Sequence, residues 1–353
     1  LIIAAKDFHR RKVFQQQGIS GAENLHADIP AVLKHVRKLR DRFTNGMVEK
    51  TKDLAGDKLV IGQAEIIAPN RIRISDREVL TDKIIIATGS KTRFPKAWKE
   101  LGNRLLTSNN IFEQQDLPEK IAVIGMGPIG LELGQALSRL GIDIIGFTNT
   151  SVIAKTSDPQ VSQQALEIMG QEFPIYTNSR VTINKENESL IVKTEDEKFT
   201  VDAVLAATGV SPDLQGLGLE NLDIELDAGG LPSFDKQSAQ IADLPIFIAG
   251  DVNGWRPILH ESLDDGFIAG RNSISNEINT YCRRTPFYLV FSDPQIAMVG
   301  QTFNVLKENK VSFITGETNF SEQPRTMLEL DNKGLMHIYV DRDSAQLLGA
   351  ELI

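Results

Sequence analysis

The chain has 353 residues, 41% of them hydrophobic and 24% charged, which is enough for two or three packed domains and too apolar for wholesale disorder. Its formal net charge of -9 is spread over many segments, which excludes a broad nucleic-acid or anionic-membrane surface built from clustered Lys and Arg. The single cysteine, Cys282, excludes an internal disulfide, a cysteine-rich zinc site or a vicinal dithiol within these residues, and no apolar run approaches the roughly 18 residues of a membrane span.

In chain order, residues 1–17 read as a helix stopped at Gly18, where glycine can take a positive φ. A longer helical stretch follows from about Pro30 to Lys50; its basic run from Lys34 to Arg42, interleaved with apolar residues, reads as a wet helix face. Short alternating runs at Lys58–Ile67, Arg71–Ile74 and Glu78–Leu80 predict antiparallel strands. Lys83–Ala87 is continuously apolar, the composition of a strand buried on both faces, and it runs into Thr88-Gly89-Ser90.

After a linker at Asp116–Glu119 the pattern restarts as strand Ile121–Ile124, a glycine turn, helix Ile129–Leu140 and strand Ile142–Phe147. A second meander covers about Arg180–Thr200. Buried strands are predicted at Val201–Ala207, ending in Thr208-Gly209, and at Ile246–Ala249, ending in Gly250-Asp251. The double occurrence of sheet, meander and strand ending in Ala-Thr-Gly points to two similar nucleotide-binding domains. Near Arg283–Pro286 the chain changes character, and a further domain is expected to begin.

Gly125-Met126-Gly127-Pro128-Ile129-Gly130 is the sharpest motif, because it follows an apolar strand and opens a helix. Its first glycine allows the tight turn, the second lets backbone approach a pyrophosphate, and the third lets helix pack on strand. The acid that would hold the ribose hydroxyls of NAD belongs at the end of the next strand, which here reads Gly146-Phe147-Thr148-Asn149 with neither acid nor Arg. Weak discrimination between NADH and NADPH is therefore expected. Asp251 follows a buried strand, where ligands of open α/β sheets bind, and is placed either to meet a sugar-like hydroxyl or to cap the next helix.

Taken in order, Ala87–Ser90, Gly125–Gly130 with Leu131-Glu132, Ala207–Gly209, Gly250-Asp251 and Phe291–Gly300 resemble the dihydrolipoamide dehydrogenase branch of the flavoprotein disulfide reductases. Gly216–Glu220 followed by Ile224–Asp227 also resembles that family's exit from its nucleotide domain, with Asp213 in place of the usual Asn. The resemblance implies an α/β fold with two Rossmann-like FAD- and NAD(P)-binding domains, one inserted in the other, plus the start of an α+β dimerisation domain. The FAD domain would take residues 1–117 and 238–283, the NAD(P) domain 118–237 and the dimerisation domain 284–353.

The resemblance also implies site residues. Ala87, Thr88, Gly89 and Ser90 would line the FAD site, Gly250 and Asp251 would meet its ribityl or phosphate region, and Leu259 and His260 would face the isoalloxazine mainly through backbone. His260 is read as a packed or flavin-contacting residue rather than a base. Gly125, Gly127, Ile129, Gly130, Thr148, Asn149 and Gly209 would hold NAD, or alternatively NADP, and Glu132 would lie near the nicotinamide unless it is simply a solvated helix residue. No catalytic residue is assigned: the family's Cys-x4-Cys pair would precede Leu1 and its His-Glu pair would follow Ile353, so both ends read as cut.

The implied activity is electron transfer between NAD(P)H and a dithiol/disulfide such as dihydrolipoamide, by a homodimer, with a lipoyl-bearing 2-oxo acid dehydrogenase complex as a candidate partner. Other readings on the same scaffold are a soluble transhydrogenase, a mercuric reductase, an NADH oxidase-like enzyme or a non-catalytic flavin-binding protein. No metal, nucleic-acid or membrane partner is expected. The setting is expected to be cytoplasmic, or the mitochondrial matrix in a eukaryote.

Overall fold

The computed structural model describes residues 1–187 and 189–353, which group into two compact units. The first comprises Leu1–Arg42, Thr92–Gly209 and Thr285–Ile353, and the second Phe43–Lys91 and Val210–Arg284. Among the described residues no helix is long and apolar enough to cross a membrane.

The first unit holds a five-stranded parallel sheet in the order Leu105–Thr107, Ala203–Ala206, Lys120–Ile124, Asp143–Phe147, Ile175–Tyr176. Its central strands are buried runs of Ile, Val and Ala, the composition a sheet covered on both faces requires. Helix Pro128–Arg139 starts with proline at its first turn, where the missing N–H costs nothing, and buries Leu133 and Leu137 at helical spacing together with Leu131. The next helix, Pro159–Gly170, is capped by Asp158, whose carboxylate accepts from the N–H groups of Gln160 and Val161. The meander Thr182–Glu186, Ser189–Lys193, Lys198–Val201 closes over the other face, where Phe147, Tyr176 and Phe199 pack ring to ring.

The same unit carries an antiparallel sheet ordered Phe287–Val290, Ile296–Gly300, Leu347–Leu352, Leu335–Asp341, Phe313–Asn319. Val290, Ile296, Leu335 and Ile353 join the core beneath helix Pro128–Arg139. Arg139, nearly inaccessible at its side chain, pairs with Glu172 at 2.5 Å and Asp293 at 2.6 Å, and Lys6 reaches Asp293 at 2.7 Å. Gln135 donates to the Asp293 carbonyl at 2.8 Å and accepts its N–H at 2.9 Å. Three chain segments are thus fastened around one guanidinium.

In the second unit, Ile84–Ile86 pairs in parallel with Ile246–Ile248, and an antiparallel meander runs Ala64–Ala68, Arg71–Ile74, Arg77–Leu80. Two expectations are corrected here. Lys58–Gly62 is not strand: Gly56–Lys58 is a 3-10 turn and pairing begins at Ala64. Ile85 is 41% exposed, so the Ile-rich strand is not buried on both faces. Alternate residues point to opposite faces; Ile84 and Ile86 enter the core with Ile246 and Ile248, whereas helix Leu259–Ser273 covers Phe247 on the other face and leaves Ile85 uncovered. The opening helical region is broken at Arg10 but stops at Gly18 with φ 80, as expected, and the second helix is longer than expected, Ile29–Ala55.

Candidate functional site

In the parallel sheet the strand order reverses at Lys120–Ile124, flanked by Asp143–Phe147 on one side and Ala203–Ala206 on the other. Ligands of such sheets sit beyond the carboxyl ends of the strands at that reversal. Gly125, Gly127, Ile129 and Gly130 occupy it. Gly125 has φ 102, and a Cβ there would lie 2.3 Å from the Ala207 carbonyl oxygen. A Cβ on Gly130 would lie 1.8 Å from the Gly125 carbonyl oxygen, so only glycine lets helix and turn approach this closely. A Cβ on Gly127 would meet nothing within 4 Å, and no side chain caps the helix start, so its first N–H groups have no side-chain acceptor. Such a helix start suits an anionic group such as a phosphate.

Glu132, half-buried on the same helix, accepts the Phe291 N–H at 2.9 Å. Burial pushes its carboxyl above the ordinary range, with the Phe291 N–H opposing. The Tyr288 hydroxyl lies close by and is pushed up, first by burial and then by the Glu132 charge. Glu132 is accordingly not a freely solvated helix residue. At the next strand end Thr148 is buried, its N–H bonded to the Tyr176 carbonyl and its hydroxyl 2.9 Å from that of Thr150, while Asn149 is exposed. Gly209, exposed with φ 96, accepts the Arg93 N–H at 2.9 Å.

A second group forms in the other unit. The Asp251 carboxylate accepts the Ser90 hydroxyl at 3.0 Å and the Ser262 hydroxyl at 3.1 Å. Asp251 does not cap the following helix, whose N-cap position is Ile258. Ala87 and Thr88 are exposed, and Thr88 donates to the Asp213 carbonyl at 2.7 Å. Gly89 has φ 73, with nothing within 4 Å of a Cβ built there. Gly250 has φ 80 and donates its N–H to Asp265 at 3.1 Å. Asp265 and Glu261, both buried, are held by Arg283 at 2.7 Å each, and Asn253 donates to Asp265 at 2.6 Å. Leu259 and His260 open helix Leu259–Ser273, the first exposed and the second half-buried. The Asp213 carboxylate pairs with Lys91 at 2.8 Å.

The expected residues therefore form two strand-end groups: Gly125–Glu132, Thr148, Asn149 and Gly209 in one unit, and Ala87–Ser90, Gly250, Asp251, Leu259 and His260 in the other. Sequence reasoning missed Ser262, Arg93 and Tyr288. Ser262 lies three residues after Leu259, one helical turn on, which is the signal that would have found it. Arg93 and Tyr288 carry no local signal.

Both groups fit the nucleotides the sequence implies. The glycine-turn group offers N–H donors with no side-chain cap at a helix start, and Asp251 keeps lone pairs beyond the two its serine donors occupy.

A glycine turn at a strand reversal in one unit and a serine-held carboxylate at a strand end in the other are features of the class of oxidoreductases that handle nucleotide cofactors. Residues 2–270 match the model of the pyridine nucleotide-disulphide oxidoreductase family and residues 287–353 that of its dimerisation domain, so the chain belongs to this family. Its fold is α/β, with two Rossmann-like domains and a dimerisation domain, as the sequence implies.

A mitochondrial dihydrolipoyl dehydrogenase of Rattus norvegicus is 29% identical over 359 residues, covering 97% of this chain and 69% of that protein. The chloroplastic dihydrolipoyl dehydrogenase 2 of Arabidopsis thaliana is 26% identical, covering 92% of this chain; the chain spans 60% of that relative's length. The crystal structure of LpdA from Mycobacterium tuberculosis superposes with a TM-score of 0.86 at 21% identity, over 99% of this chain and 78% of that one.

Proposed function

We propose that the protein is an FAD-dependent oxidoreductase that passes electrons between NAD(P)H and a dithiol/disulfide such as dihydrolipoamide. The observation that carries this reading is the presence of two distinct strand-end cradles in one chain, one with a bare helix start and one with a serine-held carboxylate. When bound, the two nucleotides supply hydride chemistry. The chain's own part is to hold them.

In this reading the N–H groups at the start of helix Pro128–Arg139 take the pyrophosphate of the nicotinamide nucleotide, with Gly127 admitting it closely. Glu132 accepts from the nicotinamide end, and its desolvation strengthens that interaction. Asp251, oriented by Ser90 and Ser262, accepts a hydroxyl of the FAD ribityl chain. Residues 1–117 and 238–283 form the FAD domain, 118–237 the NAD(P) domain and 284–353 the dimerisation domain of a homodimer; the family-model boundaries at 270 and 287 support the last division. Dihydrolipoamide as donor, and docking to a lipoyl-bearing 2-oxo acid dehydrogenase complex, rest on the likeness to dihydrolipoyl dehydrogenases. The exposed thiol of Cys282 suits a reducing compartment, the cytoplasm or the matrix.

The test is an absorbance spectrum of the purified protein before and after NADH. A flavin band that bleaches on addition of NADH is expected. A protein that takes up no FAD would refute the reading.

A further inference from the structure

Beside the end of strand Ala203–Ala206 lies a cationic side chain, Arg93, that the reading above leaves without a role. Arg93 is exposed, yet its backbone is tied down on both sides: its N–H donates to the Gly209 carbonyl at 2.9 Å, and its own carbonyl accepts the Thr208 hydroxyl. The guanidinium folds back over the same turn and donates weakly to the Thr208 carbonyl at 3.4 Å. Gly209 holds φ 96, and apart from its chain neighbours the one heavy atom within 4 Å of a Cβ built there is an Arg93 guanidinium nitrogen at 3.7 Å. A ligand lying over the bare face of Gly209 therefore meets Arg93.

The position in the sheet says which part of a dinucleotide that is. The half of the fold that follows the glycine turn through Asp143–Phe147 takes the first mononucleotide, and the half across the reversal takes the second, nicotinamide-bearing one. Thr208 and Gly209 end strand Ala203–Ala206, on that second side. A guanidinium presents five donors in a planar fork that matches phosphate oxygens, and only one of them is committed here, at a long distance.

Resting on the dinucleotide reading above, we propose that Arg93 binds the nicotinamide-mononucleotide half of the ligand, its guanidinium gripping that half's phosphate over Gly209. Because Thr148 and Asn149 carry no charge, affinity for the dinucleotide then depends on an ion pair at the nicotinamide end rather than at the adenosine end.

The experiment is calorimetric titration of the full chain with NADH, reduced nicotinamide mononucleotide and 5′-AMP, on wild type, Arg93→Gln and Arg93→Lys. Both substitutions keep the backbone bonds to Thr208 and Gly209, and the melting temperature checks folding. Arg93→Gln is expected to weaken NADH and the reduced mononucleotide about tenfold and to change 5′-AMP by less than about twofold, with Arg93→Lys intermediate. The salt dependence of NADH binding is expected to flatten in Arg93→Gln. Equal losses for 5′-AMP, or an unchanged affinity for the mononucleotide, would overturn the proposal. Wild-type protein that binds none of the three probes would instead remove the dinucleotide reading beneath it.

Discussion

Gly127 and Gly130 stand three residues apart in one motif and lack side chains for opposite reasons. At Gly130 a methyl group would overlap the Gly125 carbonyl oxygen at 1.8 Å, so the glycine is demanded by packing. At Gly127 a methyl group would touch nothing, and φ is -82, so the chain itself makes no demand for glycine there. Gly130→Ala is therefore expected to destabilise the fold by about 1–3 kcal/mol, the usual range for forcing extra volume into a packed contact. Gly127→Ala is expected to leave the melting temperature unchanged and to weaken NADH binding, since only the ligand uses that space. Thermal melting and NADH titration of both variants check this; a destabilised Gly127→Ala with normal affinity would reverse the assignment. The turn at Gly125 and the close packing at Gly130 were legible in the sequence because the glycine spacing falls between an apolar strand and a helix. The surroundings of Asp251 and Glu132 were not. Ser90, a partner of Asp251, and the Phe291 N–H, the partner of Glu132, lie 161 and 159 residues away, and sequence pattern carries no distance of that kind.

Elements followed the same rule of locality. The glycine-turn helix and the strands around it were readable because continuous apolar runs and a 3.6-residue period survive in any context. Ile85 was misread because an apolar run does not say which of its residues a distant element will cover: Phe247, beside it in the sheet, is buried with Ile268 and Ala269, and Ile85 is not. Helix Pro159–Gly170 shows how far such dependence reaches. Its capping Asp158 also meets His337 Nδ1 at 2.8 Å and the Tyr339 hydroxyl at 3.1 Å, and His337 Nε2 meets Glu317 at 3.1 Å. Glu351, opposite His337 in the sheet and fully buried, accepts the N–H groups of Ser157, Asp158 and Phe303. Burial alone would push the His337 imidazole down; the bonds to Asp158 and Glu317 more than reverse this and hold it above its ordinary value. A raised folded-state value stabilises the fold fully below the unfolded value of about 6.5, and that contribution is lost as pH rises through the folded value. Raising the pH from about 6 to about 9 should lower the melting temperature of the wild type more than that of His337→Gln. Identical slopes for the two proteins would mean that His337 is neutral in the fold.

At the scale of the whole molecule, the match of residues 287–353 to a dimerisation domain gives the antiparallel sheet a task that its own packing does not complete. One side of the sheet is committed: Val290, Ile296, Leu335 and Ile353 lie in the core under the glycine-turn helix, and Glu351 is locked to Ser157. Large apolar residues nevertheless stay in water, with Leu328 76% and Leu347 66% exposed and Ile314, Met327 and Phe291 about half so. Scattered singly such residues are ordinary, but together in a segment of this family they suit a surface covered by a second copy. Sedimentation of the FAD-loaded protein is expected to give twice the chain mass. Replacing both Leu328 and Leu347 with Asp places charges where a dry contact would form, and is expected to shift the species toward monomer while leaving the flavin in place. A stable wild-type monomer that carries flavin and is reduced by NADH would show that the site needs no partner and that the exposed leucines serve something else.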